Sequence, residues 1–213
     1  GHFLAYNVLL VSPFPMEPVP VHVIKYPHPT LRHPSRPLKR VDAELRKIVA
    51  EMVELMYEED GVGLAANQVD LPYRLCIVNP TGDPDCKEQE YVFINPVIAR
   101  RQGNAEAEEG CLSLPGIHAF VRRAEKVVVS AYNLQGEEMH LELDGLFARA
   151  IQHECDHLEG ILFVDRLSDP AKLAVREALE ELERVFEGDR RRGAFPDDQQ
   201  IAQRLAELES LRT

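Results

Sequence analysis

No run of apolar residues in this chain approaches the eighteen or so that a helix needs to cross a bilayer. Phe3 to Val11 is too short, and too interrupted by Asn7, to form the core of a signal peptide. A cytoplasmic protein without a membrane partner is expected. Positive charge is scarce as well: 24 lysines and arginines face 36 acidic residues, a net charge of -12. That balance argues against a nucleic-acid groove or an anionic membrane surface as the main partner. Only four cysteines are present, Cys76, Cys86, Cys111 and Cys155. They lack the compact spacing of a disulfide framework, so free thiols or a metal-bound thiolate are expected. No internal repeat is visible, and Gly1-His2, standing without an initiator methionine, are expected to lie outside the fold.

What remains is the composition of a single globular core, 45% hydrophobic and 28% charged over 213 residues. Eight of the fifteen prolines (Pro13, Pro15, Pro18, Pro20, Pro27, Pro29, Pro34, Pro37) crowd the first forty residues. Regular helix is excluded there, and an extended wrap over the surface is expected, with Val21 to Lys25 as a short edge strand. Asp42 is placed to cap a helix running to about Glu59, with Leu45, Ile48, Val49, Met52, Leu55 and Met56 recurring every three and four residues as core. Gly61 and Gly63 end it.

From Tyr73 the period shortens. Arg74 to Val78 and Tyr91 to Ile94 read as strands between the turn signals Asn79-Pro80-Thr81-Gly82 and Asn95-Pro96, and Val97 to Arg101 is expected to continue the second beyond a break. Further strand signals lie at Glu109 to Ser113, near Val121, at Lys126 to Asn133 and at Glu138 to Leu143, the last two joined at Gln135-Gly136. Asp144 is expected to cap the next helix and Gly160 to end it in a left-handed conformation. Asp169-Pro170 opens a helix to about Glu187 with Leu173, Ala174, Leu179, Leu182 and Val185 facing inward. Arg190 to Gly193 reads as a solvated linker, and Asp198 to Leu211 as an amphipathic helix packed on the body or on a partner. The fold class expected is α+β: mostly antiparallel sheets around a central helix, with a C-terminal helix.

That central helix carries the strongest chemical signal, Gln152-His153-Glu154-Cys155-Asp156-His157. Residues four apart share a helical face, so His153 and His157 can hold one metal ion. Glu154 points too far round to be a comfortable third ligand, yet it stays near enough to exchange a proton with a water at that metal. Leu146, Ile151 and Leu158 supply the apolar contacts that would bury the helix. Two histidines on a helix can merely pack; the intervening Glu is what turns the pair toward hydrolysis.

The third ligand decides the class. A metzincin would place a histidine where this chain has Phe163, which cannot bind metal. A gluzincin-type peptidase would draw a glutamate from the following helix, where Glu177, Glu180 and Glu181 are available. The remaining candidate is upstream, in Glu109-Gly110-Cys111-Leu112-Ser113. Read with Gly61-Val62-Gly63-Leu64-Ala65-Ala66-Asn67-Gln68 and the histidine motif, it completes a set of three in order, and here the chain closely resembles the peptide deformylase family over about residues 20 to 187.

The resemblance implies a 1–20 extension, a catalytic domain over 21–187 and a 188–213 linker and helix. It implies one divalent metal held by Cys111, His153 and His157, with an open fourth position. Iron(II) is the ion implied, and zinc, nickel or cobalt would also suit a thiolate-containing site. The activity implied is removal of the N-formyl group from the initiator methionine of nascent polypeptides, releasing formate, which would bring the protein near the ribosome. Glu154 would shuttle the proton, while the Gln68 side chain and the Leu112 N–H would stabilise the oxyanion. Val62 and Gly63, with Gly110 across the cleft, would contact the peptide through their backbone. Ala150 would line the methionine pocket and Arg149 would rim it. Glu109 and Arg123 would pair, either behind the Cys111 strand or on the surface for under about 1 kcal/mol. Cys155 is expected as buried filler, and His118 either near substrate or in solvent. Oligomeric state is left open.

Overall fold

A computed structural model describes residues 21–213, so the first half of the surface wrap expected for residues 1–40 lies outside the described residues, and the second half is interrupted by a short 3-10 helix (Pro29–Arg32) that buries Thr30 and Leu31. The first helix, α1 (Ala43–Glu58), starts as its cap demands, with the Asp42 carboxylate accepting the Leu45 N–H at 2.8 Å. Leu45, Val49, Met52 and Met56 form its buried stripe. They lie against one face of a five-stranded sheet ordered β1 (Gly63–Ala65), β2 (Leu75–Val78), β3 (Tyr91–Gln102), β6 (Lys126–Tyr132) and β7 (Glu138–Asp144), with every pairing antiparallel. On β2, Leu75 and Ile77 face α1, whereas Cys76 and Val78 face the other side. Cover on both faces explains why this strand is an unbroken apolar run rather than an alternating one.

The other cover is α2 (Gly145–Leu158), the helix of the histidine motif. Ala148, Ile151, Cys155 and Leu158 pack against Phe93, Val127 and Val129 of the sheet, so the helix is held between the sheet and the rest of the molecule. Asp144 precedes it, but its side chain makes no capping hydrogen bond. Gly160 closes the helix at φ +72°; a Cβ there would stand 2.5 Å from the Arg32 carbonyl oxygen, so glycine is required twice over. A separate hairpin, β4 (Ala105–Cys111) with β5 (Leu114–Arg123), encloses a third core with Phe163, Val164 and Val175.

Several local expectations change. Val21 to Lys25 forms no strand; its extended backbone is satisfied singly, Ile24 N–H donating to the Gln68 carbonyl. The short β1 was not anticipated, because three residues opening on a glycine are too few to show a period. Helix α3 (Asp169–Arg191) leaves Leu173 67% and Val185 51% exposed, and Ala174 exposed too, burying Val175 and Phe186 with Leu179 and Leu182 partly covered. Of the expected Arg190–Gly193 linker, Arg190 and Arg191 belong to the last turn of α3 and only Arg192 and Gly193 form a turn beyond it; the Arg190 guanidinium lies 4.9 Å above the Phe186 ring and pairs with Asp198.

The final helix, α4 (Asp198–Arg212), packs on the body through Ile201 and Leu205. Arg212, 4% exposed, donates to Asp42, Glu44 and the Tyr73 hydroxyl, joining the last turn of the chain to the cap of α1. Replacing Arg212 with Ala strips these acceptors of a charged donor, at a cost of about 2 kcal/mol. For a chain of this size the thermal midpoint should fall by roughly 4–8 °C, as measured by circular dichroism; an unchanged melt would show that α4 rests on the body without bracing it.

Candidate metal centre

Helical spacing puts His153 and His157 on one face of α2, and both are buried. Their Nε2 atoms lie 3.2 Å apart, and Cys111 Sγ is 3.3 Å from His157 Nε2. Cys111 arrives at the end of β4, just past a register shift between Glu109 and Cys111 in the hairpin. The three ligand atoms all lie within 4.8 Å of one another, and among the described residues this is the group able to hold a metal. One soft sulfur and two imidazole nitrogens suit a divalent transition metal and leave a coordination position open.

The two imidazoles sit in different electrostatic surroundings. Burial opposes charging His153, but hydrogen bonds to Cys111 and Glu109 outweigh it and raise its pKa to about 10. His157 moves the other way, well below the ordinary histidine value, through burial and the charge of His153. Both shifts trace to burial and to the neighbouring groups, Cys111 and Glu109 for His153 and His153 itself for His157. Phe163, at the position a metzincin would give to its third histidine, stacks on the His153 ring with centroids 6.0 Å apart.

Behind the ligands lies a buried ionic network. Glu109 Oε1 accepts from His153 Nδ1 at 2.9 Å, and both Glu109 oxygens accept from Arg123 at 2.7 and 2.9 Å. Arg123 also donates to Asp156, which Arg166 holds from the other side. Burial alone would raise the Glu109 pKa; its bonds to His153 and Arg123 bring it down to about 2. This is the buried form of the Glu109–Arg123 pair, and it fixes the ring of one ligand and the strand of another. Asn67 holds the other histidine by donating to the His157 carbonyl. Asp156, Arg166 and Asn67 were missed as supports because their contacts, spanning 33, 10 and 90 positions, follow no local period.

Glu154 sits beside the cluster, 4% exposed, and burial pushes its carboxyl up to about 7. A Cβ on Gly63 would stand 2.5 Å from Glu154 Oε1, so glycine is what lets the β1 backbone approach this carboxylate. Gln68 accepts the Ala65 N–H through Oε1 and directs Nε2 to Ser113 Oγ at 3.2 Å and Cys111 Sγ at 3.5 Å. Cys155 faces away into the core with Cys76, and burial raises its thiol to about 12.

A cavity of about 450 Å³ opens onto this cluster. Val62, Gly63, Gln68, Gly110, Leu112 and Ala150 all line it, together with Glu154, Cys111 and His153. Arg149 lines it too, although its guanidinium is turned to Glu109, the Val121 carbonyl and the Ala105 carbonyl. Exposed His118 lies on the wall, packed where a Cβ on Gly110 would go. Leu146, expected to bury α2, is 53% exposed at the cavity rim instead. Lys25 also lines the cavity and was not singled out, since nothing local to residue 25 signals a contact with residue 112.

A buried glutamate next to a Cys/His/His group at the foot of an open cleft defines a metal-dependent hydrolase. Glu177, Glu180 and Glu181, the ligands a gluzincin would require, are exposed on α3 and do not join the group. The polypeptide deformylase family model matches residues 20–173. A peptide deformylase of Rhodopirellula baltica is 47% identical over 195 residues, covering 92% of this chain and 96% of its own length, and one from Neisseria gonorrhoeae is 49% identical over 148 residues, covering 70% and 87%. Among solved structures, a plant peptide deformylase superposes with a TM-score of 0.78 at 39% identity over 84% of this chain and 96% of its own, and one from Plasmodium falciparum with 0.76 at 38% over 78% and 98%. The chain belongs to the polypeptide deformylase family, metal-dependent hydrolases that remove the N-formyl group from nascent peptides.

Replacing Glu109 with Gln should leave the ligands in place but remove the charge behind His153. Metal affinity is expected to fall roughly 10- to 100-fold, read by chelator competition against the wild-type protein; an unchanged affinity would mean that the ionic network serves only the fold.

Proposed function

We propose that this chain deformylates N-formylmethionyl peptides with Cys111, His153 and His157 holding iron(II) and Glu154 moving the proton. The observation that carries the assignment is the position of Glu154: buried, with Oε2 lacking a hydrogen-bond partner among the described residues, beside the three ligands and on the cavity wall. When bound, the metal supplies Lewis acidity, which acidifies a water and polarises the formyl carbonyl. A carboxyl whose pKa is raised toward neutrality accepts a proton from the attacking water and gives it back to the leaving amine with little penalty in either direction.

The Gln68 amide and the Leu112 N–H take up the charge that develops on the former carbonyl oxygen. Among the described residues the Leu112 N–H donates to no protein acceptor, which leaves it available for this task. Backbone groups of Val62, Gly63 and Gly110 hold the peptide irrespective of its sequence. Ala150, with Leu146 beyond it, offers apolar surface to the methionine side chain, and Arg149 acts from behind through Glu109. Among the described residues no helix is long and apolar enough to cross a membrane, and a cytoplasmic encounter with nascent chains is part of the same proposal.

Two measurements test this reading. Glu154→Gln keeps the shape of the side chain but cannot take a proton; it should retain metal while kcat falls roughly 10²- to 10⁴-fold. Metal-loaded, oxygen-protected enzyme should release formate from formyl-Met-Ala-Ser and leave acetyl-Met-Ala-Ser intact, because the acetyl methyl would occupy the place of the formyl hydrogen. Persistent turnover in the variant would remove Glu154 from its role, and cleavage between Met and Ala would replace deformylation with peptidase activity.

A further inference from the structure

The two groups assigned to the developing oxyanion belong to different parts of the chain. Gln68 lies on a 3-10 turn (Ala66–Val69) after β1, and Leu112 lies in the turn between β4 and β5. Neither is on the metal helix. What ties them together is a third stretch, Ile24-Lys25-Tyr26, and it does so entirely by donating to carbonyl oxygens. The Ile24 N–H donates to Gln68 O at 2.8 Å, the Tyr26 N–H to Ser113 O at 2.9 Å, and Lys25 Nζ to Leu112 O at 2.8 Å.

The circuit is closed on its other side, where Gln68 Nε2 donates to Ser113 Oγ. The stretch is itself anchored: Ile24 is 3% exposed in the third core, and the Tyr26 hydroxyl donates to Glu183 on α3 at 2.7 Å. From the opposite side the Leu112 side chain is stopped by Gly61, where a Cβ would be 3.0 Å from Leu112 Cδ1. Of the three donors in the stretch, Lys25 is the one supplied by a side chain. It is exposed and lines the cavity, which Glu59 and Asp60 also line, yet its ammonium goes to a main-chain carbonyl. An ammonium used in this way holds the peptide unit after Leu112 and so limits how far residue 112 can rotate.

We propose that Lys25 is a positioning residue for deformylation: by holding the Leu112 carbonyl, it keeps the Leu112 N–H aimed into the cavity in register with Gln68. The inference rests on the oxyanion role given above to Leu112 and Gln68. It predicts a loss seen in the transition state and absent from substrate binding, because an oxyanion donor matters only when charge develops.

The test compares metal-loaded wild type, Lys25→Met and Lys25→Arg on formyl-Met-Ala-Ser, with hydrogen exchange of residues 110–115 and thermal unfolding measured on the same samples. Lys25→Met keeps the aliphatic stem and removes the donor. It should lower kcat about tenfold with KM within about twofold, speed exchange in 110–115, and leave the melting midpoint near that of wild type, as an exposed position allows. Lys25→Arg should recover most of kcat. An unchanged kcat in Lys25→Met, or a loss carried by KM alone, overturns the proposal, the latter marking Lys25 as a direct peptide contact. A loss of kcat that follows a lowered melting midpoint and is not recovered by Lys25→Arg overturns it as well. Failure of wild type itself to release formate would instead overturn the deformylase reading, so the two failures are distinct.

Discussion

Glu109 is the point at which charge balance and geometry meet in this molecule. A carboxylate at 7% exposure is costly unless it is fully paired, and here it accepts from His153, Arg123 and Arg149 at once. Those bonds come from two elements, with Arg149 and His153 on α2 and Arg123 at the end of β5, while Glu109 itself stands two residues before Cys111 on β4. A single residue thus joins the strand that delivers the thiol to the helix that delivers the imidazoles. Loosening it would leave a buried charge uncompensated and would let the sulfur drift from the two nitrogens.

The fold supplies the rigid supports this arrangement needs. Sheet and α2 are locked by a dry apolar interface, and α1 covers the opposite face of the same sheet. Because β2 is buried on both sides, β1 and the turn bearing Gln68 inherit a fixed height above α2. Gly63 then brings the main chain up to Glu154 with no side chain between them. Site residues drawn from β1, β4 and α2 therefore converge on one cavity, and the segment before α1 is stitched across them through Ile24, Lys25 and Tyr26.

Segments with strong periodicity and clear punctuation were legible in advance. Asp42 capped α1 as expected, the Gln135-Gly136 turn joined β6 to β7, and Gly160 ended α2 in the left-handed region. Errors fell where two faces compete. On α3 the apolar residues Leu173 and Val185 look like core on a helical wheel, but the body approaches from the side of Val175 and Phe186. Leu146 misled in the same way, since the first turn of α2 borders a cavity rather than the sheet. Val21 to Lys25 has strand composition, yet its Ile24 N–H goes to Gln68 and the N–H of Tyr26, just beyond it, to Ser113, instead of to a neighbouring ladder.

The order of residues alone determined the pairing of His153 with His157, because spacing by four on a helix fixes a shared face whatever surrounds it. It also determined the α+β class, through a period of two in the middle of the chain and of three to four at its flanks, and it carried the three motifs from which the family resemblance was drawn. The tertiary structure decided how the Cys111 named by that resemblance reaches the histidines, how Glu109 is neutralised and that Lys25 reaches Leu112. Those contacts span 46, 14 and 87 positions. No local periodicity encodes them: they exist only once the sheet, the hairpin and α2 have packed, and that packing is set by apolar burial summed over the whole chain.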